Sequence, residues 1–398
     1  MSQTEKAEKL RKMILALHAG EPFERVKAQF DELIEGVSPE EIAAMEQQLI
    51  QEGMPVAEVQ RLCDLHVGVI RDRLKTDSEI DIPPGHPIHT YMEENREFEK
   101  LADQLVQAND VDSLTKRLDA LSVIDIHYLR KENQLFPYLE RHGITGPTQV
   151  MWGIHDEIRD TLRAVKGKAV NGDLTEAKQA AAEVARAITE MIYKEEKILF
   201  PLSLTHLSSA EWGEIRRGDA AIGYAFEAPP EWIPNLDDRP DTKDQDRSGM
   251  IPTRMIPTGV TPTGMIPLST GQLTQQQLTR MLTHLPVDLS FVDPAGRVQF
   301  YSDNPDRIFP RSPAVIGRNV ANCHPPQSVD IVLKILDAFA DGSQDSARFW
   351  IQLNGRFLLI QYFAVRGDNR EYLGCLEVSQ DVTDIRSLEG EQRLLDWE

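Results

Sequence analysis

The stretch that decides the fold is a signature, Lys131-Glu-Asn-Gln-Leu-Phe-Pro137, which returns as Lys194-Glu-Glu-Lys-Ile-Leu-Phe-Pro201. When the copies are aligned on Leu-Phe-Pro, each has a glutamate three residues before the leucine, Glu132 in the first and Glu196 in the second. Both copies lie inside long helical patterns, among residues expected to face a core. A carboxylate in an apolar core is costly unless it is paired, hydrogen-bonded or bound to a cation. The signature therefore predicts two interior glutamates that need a partner.

Around this signature the chain shows four long helical patterns between residues 86 and 217. Their ranges are about 88–108, 111–140, 148–170 and 173–207. Gly143, Gly146-Pro147 and Asn171-Gly-Asp173 interrupt the sequence between the later patterns, and short connections favour antiparallel neighbours. The expected fold of this part is an antiparallel four-helix bundle.

Each predicted helix carries an apolar stripe at spacings of three and four, with polar residues near its middle. The polar positions are Asn95 on the first helix, Asp125 and Glu132 on the second, His155 on the third, and Glu196 or, in the neighbouring register, Glu195 on the fourth. This pattern is typical of a polar or metal site buried inside a bundle.

Composition restricts the function without selecting one. The chain has 398 residues, 41% of them hydrophobic and 27% charged, which suits several folded domains. A formal net charge of −21 argues against sequence-independent nucleic-acid binding, which needs a basic surface. The sequence shows no membrane-spanning apolar run and no signal peptide at its N-terminus, so we expect a cytoplasmic protein.

Residues 1–75 are predicted to form a separate module of several helices. Ser38 followed by Pro39 marks a helix start. Cys63 and His66 lie three residues apart and would share a helical face, so they form a conceivable metal pair. A small apolar cysteine beside an ordinary histidine is the favoured interpretation. The chain's three cysteines are too few for a disulfide framework.

Residues 218–272 are predicted to be a proline-rich linker. The segment contains Pro229-Pro230, an acidic run around residues 237–246 and the repeated Met-Ile-Pro units that begin at Met250, Met255 and Met265. Such composition does not support a packed core.

Residues 273–385 change to strand signals with a helix among them. Predicted strands at 287–292, 298–301, 349–353, 357–365 and 372–382 surround a helix at about 328–340, and a charged helix is expected over 386–398. The Asn354-Gly355 turn between two apolar strands is a strong hairpin signal. We expect an α+β domain here, so the whole chain is predicted to be a multi-domain protein, all-α before the linker.

Three resemblances follow from these motifs. The two Glu-x-x-Leu-Phe-Pro copies, His127 and the run Met151-Trp-Gly-Ile-His155 make the bundle resemble the hemerythrin-like (HHE cation-binding) family. The strand-rich segment, with its exit at Asp381-Val-Thr-Asp384, resembles a PAS sensor domain. The N-terminal part is similar to an uncharacterised helical module that precedes such domains in some bacterial proteins.

The resemblance to hemerythrin-like bundles implies one or two non-haem iron ions held by histidines and carboxylates, with an open position for dioxygen or nitric oxide. Carried over by position, the implied ligands are His89, His127, Glu132, His155 and Glu196. Additional candidates are His86, His206 and His142, the last two of which are expected at helix termini or loops.

This chain departs from the family pattern at three places. Asn95 stands on the first helix where the family usually has a histidine, so His86 or His89 would have to replace it. His127 precedes Glu132 by five residues rather than four, about 140° apart on an ideal helix. Pro137 offers a kink that could correct this.

The third departure is on the last helix, which has Ile192 and Tyr193 where a ligand histidine is common. These departures leave a single metal ion, or a differently arranged pair, as the expectation.

In the PAS-like domain Cys323 and His324 are candidate ligands for haem or another small molecule. Pro325-Pro326 also makes a rigid turn before the next helix, and that structural role is the favoured interpretation. No catalytic signature is present, so enzymatic activity is undecided and less favoured.

These expectations describe a cytoplasmic sensory protein. Iron in the bundle would respond to oxygen, nitric oxide or redox state, and the PAS domain would sense or form a homodimer, with an unknown protein partner downstream. The alternatives are a non-haem iron enzyme acting on nitric oxide or peroxide or delivering iron, and a metal-free interaction scaffold. If the interior carboxylates are paired with lysines and arginines, the iron hypothesis loses its chemical centre.

Overall fold

The structure is a computed structural model that describes residues 47–56, 58–59, 82–170, 174–234, 264–353 and 355–391, with residues 9, 12 and 25. The chain separates into two compact units, and the division falls near residue 240. Most of the predicted N-terminal module, with Cys63 and His66, lies outside the described residues, as does the linker over 235–263.

Over its described residues between 82 and 234, the first unit contains eight α-helices. They are α1 (Pro87–Val106), α2 (Val111–Leu121), α3 (Ile124–Arg130), α4 (Phe136–Arg141), α5 (Gly146–Val170), α6 (Leu174–Lys194), α7 (Phe200–His206) and α8 (Ser209–Ile222). The four predicted helical patterns are confirmed, but the second is divided into three helices, and α8 extends past the predicted start of the linker at residue 218.

Each copy of the repeated signature folds into one turn of π-helix. These π-helices are Lys131–Leu135, between α3 and α4, and Glu195–Leu199, between α6 and α7. Phe136 and Phe200 donate their backbone N–H groups five residues back, to Lys131 and Glu195. The proline that follows each phenylalanine has no N–H to offer, so the sequence Leu-Phe-Pro favours this irregular turn.

Helix starts in this unit are fixed by local capping. His86 caps α1 by accepting the N–H of Ile88 at its Nδ1, 3.1 Å away, and Pro87 occupies the first turn. Ser208 and Glu211 form a reciprocal capping box at the start of α8. Gly223 ends α8 with φ of 100°.

The predicted stripe of α1 is confirmed, because Tyr91, Asn95, Phe98, Ala102 and Leu105 are all 1% exposed or less. On the last helix the register through Met191 and Glu195 is the buried one. The prediction for Asp125 was wrong, since its side chain is about half exposed. Aromatic and aliphatic side chains from facing helices therefore surround a small polar interior.

The second unit contains a five-stranded antiparallel sheet in the order β4-β3-β7-β6-β5. The strands are β3 (Asp288–Val292), β4 (Val298–Tyr301), β5 (Ser346–Leu353), β6 (Arg356–Arg366) and β7 (Tyr372–Asp381). Helix α10 (Pro326–Ala340) and two 3₁₀ turns, Pro313–Val315 and Val320–Cys323, connect β4 to β5. All five predicted strands and the central helix are confirmed.

The core of the second unit lies between the sheet and α10. It is formed by Val292, Val298, Val315, Val320, Cys323, Val332, Phe339 and Cys375. Ahead of the sheet, a small hairpin of β1 (Met265–Leu268) and β2 (Gly271–Thr274) leads into α9 (Gln275–His284). This hairpin replaces the end of the predicted linker.

The expected helix over 386–398 is not seen in its described part. A 3₁₀ turn, Ile385–Ser387, is followed by non-helical residues up to 391, and residues 392–398 lie outside the description. Among the helices that the structure describes, none is long and apolar enough to cross a membrane.

Candidate functional site

His127, at the centre of the bundle, lies between two carboxylates. Its Nδ1 is 2.7 Å from Oε2 of Glu94 on α1, and its Nε2 is 3.1 Å from Oε2 of Glu195. The imidazole and both carboxylates are essentially excluded from solvent. Both ring nitrogens therefore lie within hydrogen-bond distance of a carboxylate oxygen, and His127 links α1 to the π-helix that contains Glu195.

Lys131 supplies the second bond to Glu195. Its ammonium group bonds Oε1 of Glu195 and lies 4.6 Å from the centre of the Tyr128 ring. Burial raises the pKa of Glu195, but Lys131 and His127 outweigh that effect and hold it below its usual value. Burial also lowers the pKa of Lys131 to about 8, against the opposing effect of Glu195. The pair is thus a buried ion pair with both partners fully enclosed.

Glu132 is bound by a histidine and an arginine on α5. Nδ1 of His155 is 2.8 Å from its Oε1, and the guanidinium of Arg159 reaches Oε1 at 2.9 Å and Oε2 at 3.1 Å. Arg159 also donates to Asp125 at 2.6 Å and to Asp156 at 2.9 Å. The bidentate contact of Arg159 with Glu132 holds the buried carboxylate in place and offsets its negative charge.

The ring of His155 is held between aromatic side chains. It stacks on Tyr128 at 3.9 Å with an interplanar angle of 10°, and Phe136 lies parallel at 6.0 Å. Burial, with Lys131 and Arg159 nearby, keeps the pKa of His155 well below its usual value, so the ring is neutral. The proton then sits on Nδ1 facing Glu132, and Nε2 is left without a hydrogen-bond partner among the described residues.

A third buried carboxylate, Glu94, is paired with Arg130. The two groups are 2.6 Å apart, and Glu94 also accepts the backbone N–H of Ala225 at 3.0 Å. Burial raises the pKa of Glu94, and the contacts with His127 and Arg130 lower it further than burial raises it. The guanidinium of Arg130 is fully buried and lies against the rings of Tyr91 and Tyr224.

The interior is therefore balanced in charge by the protein itself. Three buried carboxylates meet three protein cations in the pairs Glu94–Arg130, Glu195–Lys131 and Glu132–Arg159.

This balance decides whether an iron ion fits. A divalent ion about 4 Å from one of these cations would be repelled by about 8 kcal/mol at an effective dielectric constant of about 20. Within the described part of the chain, no group of three His, Cys, Asp or Glu side chains is placed to hold a metal ion. The residues of this arrangement do not fit an iron centre.

Of the five residues expected to bind metal, the structure brings three into this cluster: His127, Glu132 and His155. Glu196 is only partly buried and accepts a bond from Asn95 at 3.3 Å, while its neighbour Glu195 occupies the interior. His89 lies near the bundle surface, 3.6 Å from Glu93. Glu195, which the sequence offered in the neighbouring register, is therefore the buried glutamate of this pair, and a metal role for Glu196 stays a prediction.

The additional candidates have other partners. His86 caps α1 and packs against the rings of Trp212 and Trp232, and burial lowers its pKa to about 4. His142 is 2.8 Å from Glu211, and this hydrogen bond raises its pKa. His206 contacts the backbone oxygen of Leu202 at 2.9 Å. All three have structural roles at helix ends.

Sequence reasoning missed Glu94 and Arg159, gave Glu195 only in the neighbouring register, and did not expect Arg130 and Lys131 in the interior. A signal was present for Lys131 and Arg159, because each lies four residues after a core histidine and so shares its helical face. Long cationic side chains are usually read as solvated, which is why these positions were not expected in the interior.

Behind Arg130 lies a second buried polar group. Asp219 of α8 is 1% exposed, and neither carboxylate oxygen has a hydrogen-bond partner among the described residues. The same holds for the hydroxyl of Tyr91. Burial raises the pKa of Asp219 to about 7, and Arg130 only partly offsets it.

In the sheet-containing unit, the proposed ligands Cys323 and His324 follow each other at the end of a 3₁₀ turn. Cys323 is buried in the core, with its Sγ 3.6 Å from the backbone oxygen of Asn319. Burial, together with Arg311 and Arg318, lowers the pKa of His324 to about 4. Cys323 therefore has a packing role in the core of this unit, and a ligand role for either residue stays a prediction.

The fold and the buried cluster define a class: a helical bundle with a polar interior followed by a PAS-type sheet. Family comparisons agree with this class. The family described as Hemerythrin HHE cation binding domain matches residues 86–203, the PAS domain family matches residues 278–383, and a family of unknown function, DUF438, matches residues 10–76. The chain thus carries these three domains in the predicted order.

Solved structures similar to parts of the chain were also found. A C-terminal domain from Streptococcus mutans is 32% identical over 33% of this chain and 99% of its own, with a TM-score of 0.31. A PAS domain from Colwellia psychrerythraea is 14% identical over 27% of this chain and 97% of its own, with a TM-score of 0.23. A sensory box sensor histidine kinase from Vibrio cholerae is 14% identical over 27% of this chain and 91% of its own, with a TM-score of 0.22. No curated protein sequence matches the chain.

Proposed function

We propose that this chain is a cytoplasmic sensory or regulatory protein in which the PAS domain senses or dimerises and the hemerythrin-like bundle is a metal-free, ion-paired scaffold for a protein partner. A hemerythrin-like domain and a PAS domain in one chain support a sensory protein. One observation supports a bundle without a metal ion. Each of its interior carboxylates Glu94, Glu132 and Glu195 is bonded to an arginine or lysine.

The charges explain why a scaffold is the better-supported role. Metal-binding bundles leave carboxylates and imidazoles converging without other cations, so that a metal ion relieves their repulsion. Here Lys131, Arg130 and Arg159 already provide that relief, and they are covalently part of the chain. Glu94, Glu132 and Glu195 therefore already have cationic partners in the folded chain.

A second candidate is a sensor of oxygen, nitric oxide or redox state that uses non-haem iron. One observation favours it: Nε2 of His155 is a buried lone pair with no hydrogen-bond partner in the described chain, near Glu195, His127 and Glu132. Neutral imidazole of this kind is a common ligand for iron. In that case iron would supply an open coordination position for a diatomic ligand, and the pairs Lys131–Glu195 and Arg159–Glu132 would have to open before the cluster could hold it.

Metal analysis of the full chain, purified without oxygen, separates the two candidates. The scaffold proposal expects iron, manganese and zinc at trace levels and no optical absorption that changes with oxygen or nitric oxide. Iron near one or two equivalents, with a spectrum that responds to either gas, would establish the sensor and reject the scaffold. The variant Glu132→Ala serves as the control, since it would lose iron bound at this cluster and keep iron bound elsewhere.

A further inference from the structure

Lys131 occupies a particular position in the buried cluster. It lies four residues after His127, so both side chains leave the same side of the helix and reach the same carboxylate. Its ammonium group bonds one oxygen of Glu195, and Nε2 of His127 lies 3.1 Å from the other. Glu195 therefore bridges two residues of one helix from across the bundle.

The charge of the side chain at position 131 decides the net charge around Glu195. A glutamate at position 131 would add a negative charge to those of Glu195 and Glu132. Lys131 adds a positive charge instead. The difference is two charge units at one buried point, where charges are weakly screened.

The environment of Lys131 keeps its ammonium group in place. The side chain is fully buried, the Tyr128 ring lies 4.6 Å from Nζ, and Glu195 is the carboxylate directly bonded to it. An aromatic face and a carboxylate together are a favourable site for a cation. A mobile metal ion would have to displace this tethered charge from both contacts.

The other two cations, Arg130 and Arg159, are bonded to carboxylates other than Glu195. Arg130 is directed to Glu94, and Arg159 is shared among Glu132, Asp125 and Asp156 near the bundle surface. Lys131 is bonded to the carboxylate that also contacts His127.

We infer that Lys131 is the residue that excludes a metal ion from this bundle, by placing its own positive charge between Glu195 and the ring of Tyr128. The inference rests on the metal-free scaffold proposed above and adds the residue responsible for it. It implies that the polar interior retains the carboxylates and histidines needed for metal, and that one side chain prevents their use.

The test compares the full chain with Lys131→Glu, Lys131→Met and a control, Lys178→Glu, which makes the same charge change at an exposed position of α6. Each protein is produced with and without added zinc, dialysed without oxygen against Zn(II), Mn(II) or Fe(II), and analysed for bound metal. The thermal midpoint is measured with metal and with EDTA. Lys131→Met removes the charge without adding a ligand, so it remains informative if Lys131→Glu folds only with metal.

The wild-type chain and Lys178→Glu are expected to bind no metal and to melt at the same temperature with metal and with EDTA. Lys131→Glu is expected to bind about one metal ion and to melt higher with metal. Lys131→Met is expected to bind Zn(II) at a free concentration at least about tenfold below the highest one at which the wild type stays metal-free.

Two results would overturn the inference, and they differ in what else they reject. Stoichiometric metal in the wild-type chain, with Lys131 intact, rejects both the metal-free scaffold and the role of Lys131. A metal-free wild type, with no gain of metal in folded Lys131→Met and none in Lys131→Glu, rejects the role of Lys131 alone.

Discussion

Arg159 and Arg163 lie four residues apart on α5, and each is paired with a carboxylate. Arg159 bonds buried Glu132, whereas Arg163 bonds Asp160 with both side chains more than half exposed. A buried carboxylate that loses its partner keeps the full cost of burial, but an exposed one is resolvated by water. The two arginines form a matched pair for measuring this difference.

We expect Arg159→Ala to lower the free energy of unfolding by about 3 kcal/mol, because buried Glu132 would lose the guanidinium group that pairs with its charge. Arg163→Ala should lower it by less than about 0.5 kcal/mol. Urea denaturation followed by circular dichroism measures both values. Equal losses in the two variants would show that the buried pair is not maintained in solution.

Asp219 gives the bundle a dependence on pH. Its pKa is about 7 in the folded chain, above the ordinary value of 3.8, so the folded state holds a proton that the unfolded state has released. The groups around it are Tyr91 and Glu94 on α1, Arg130 on α3, and Arg216 and Tyr224 on and after α8. Stability contributed by the protonated form is present below about pH 4 and is lost as the pH rises towards 7.

Asp219→Asn should remove this part of the pH dependence. Between pH 5 and pH 7 the wild type is expected to lose up to about 1 kcal/mol per pH unit relative to the variant. Urea denaturation of both proteins at pH 5, 6 and 7 tests this, and the comparison cancels groups that titrate equally in the two. A wild type that gains stability relative to Asp219→Asn over that range contradicts the expectation.

At the scale of elements, helices and strands were predictable, and the irregular turns were not. The stripes of α1 and α5 follow directly from the spacing of apolar residues, and β6 follows from the apolar run after the Asn354-Gly355 turn. The two π-helices add one residue to a turn, which no 3.6-residue pattern anticipates. Glu196 was preferred to Glu195 because it aligns with Glu132 on Leu-Phe-Pro, although the neighbouring register already contained Glu195, the buried residue.

The turn before α1 is closely packed against the segment that follows α8. Gly85 has φ of 87°, and a Cβ at this position would lie 2.5 Å from the backbone oxygen of Pro230. Gly143, after α4, has a similar φ of 80° and nothing within 4 Å of the corresponding point. Alanine substitutions at these two glycines therefore separate two contributions to the free energy of unfolding. One is the steric clash, and the other is the strain of a positive φ.

Gly85→Ala is expected to destabilise the bundle by about 3 kcal/mol, the sum of backbone strain and a shift of the 229–232 segment. Gly143→Ala should cost about 1 kcal/mol, from the backbone conformation alone. Thermal unfolding of both variants gives the comparison. A loss in Gly85→Ala no larger than that in Gly143→Ala would mean that the 229–232 segment does not pack on this turn.

At the scale of the whole molecule, domain order was predictable because each unit has its own periodicity, helical before residue 218 and strand-like after residue 273. The site was predictable only in part. His127, Glu132 and His155 were found because they interrupt apolar stripes, whereas their cationic partners depend on side-chain directions that one sequence does not specify. Each cation meets its carboxylate only when the helices that carry them pack together.

A homodimer through the PAS domain is the proposed assembly, and the outward face of the sheet supports it. Trp350 on β5 is 61% exposed and Phe363 on β6 is 37% exposed, both on the side away from α10. Exposed aromatic side chains of this size are typical of interfaces.

Trp350→Asp is expected to reduce the fraction of dimer at least about tenfold, since a charge would be buried in the interface. Light scattering during size-exclusion chromatography measures the mass. Arg348→Asp, on the same face and strand, is the control for charge alone. A monomeric wild type, or a dimer unaffected by Trp350→Asp, contradicts this assembly.

The position of β5 at one end of the sheet has a separate consequence for handling the protein. Its outer backbone groups have no neighbouring strand in the sheet, and its eight residues include Phe349, Trp350 and Ile351, each more than a third exposed. An exposed edge strand of this kind can pair with an extended segment of another chain. The positive charge of Arg348 opposes such pairing. Concentrated solutions should therefore be most prone to fibril growth when this arginine is neutralised.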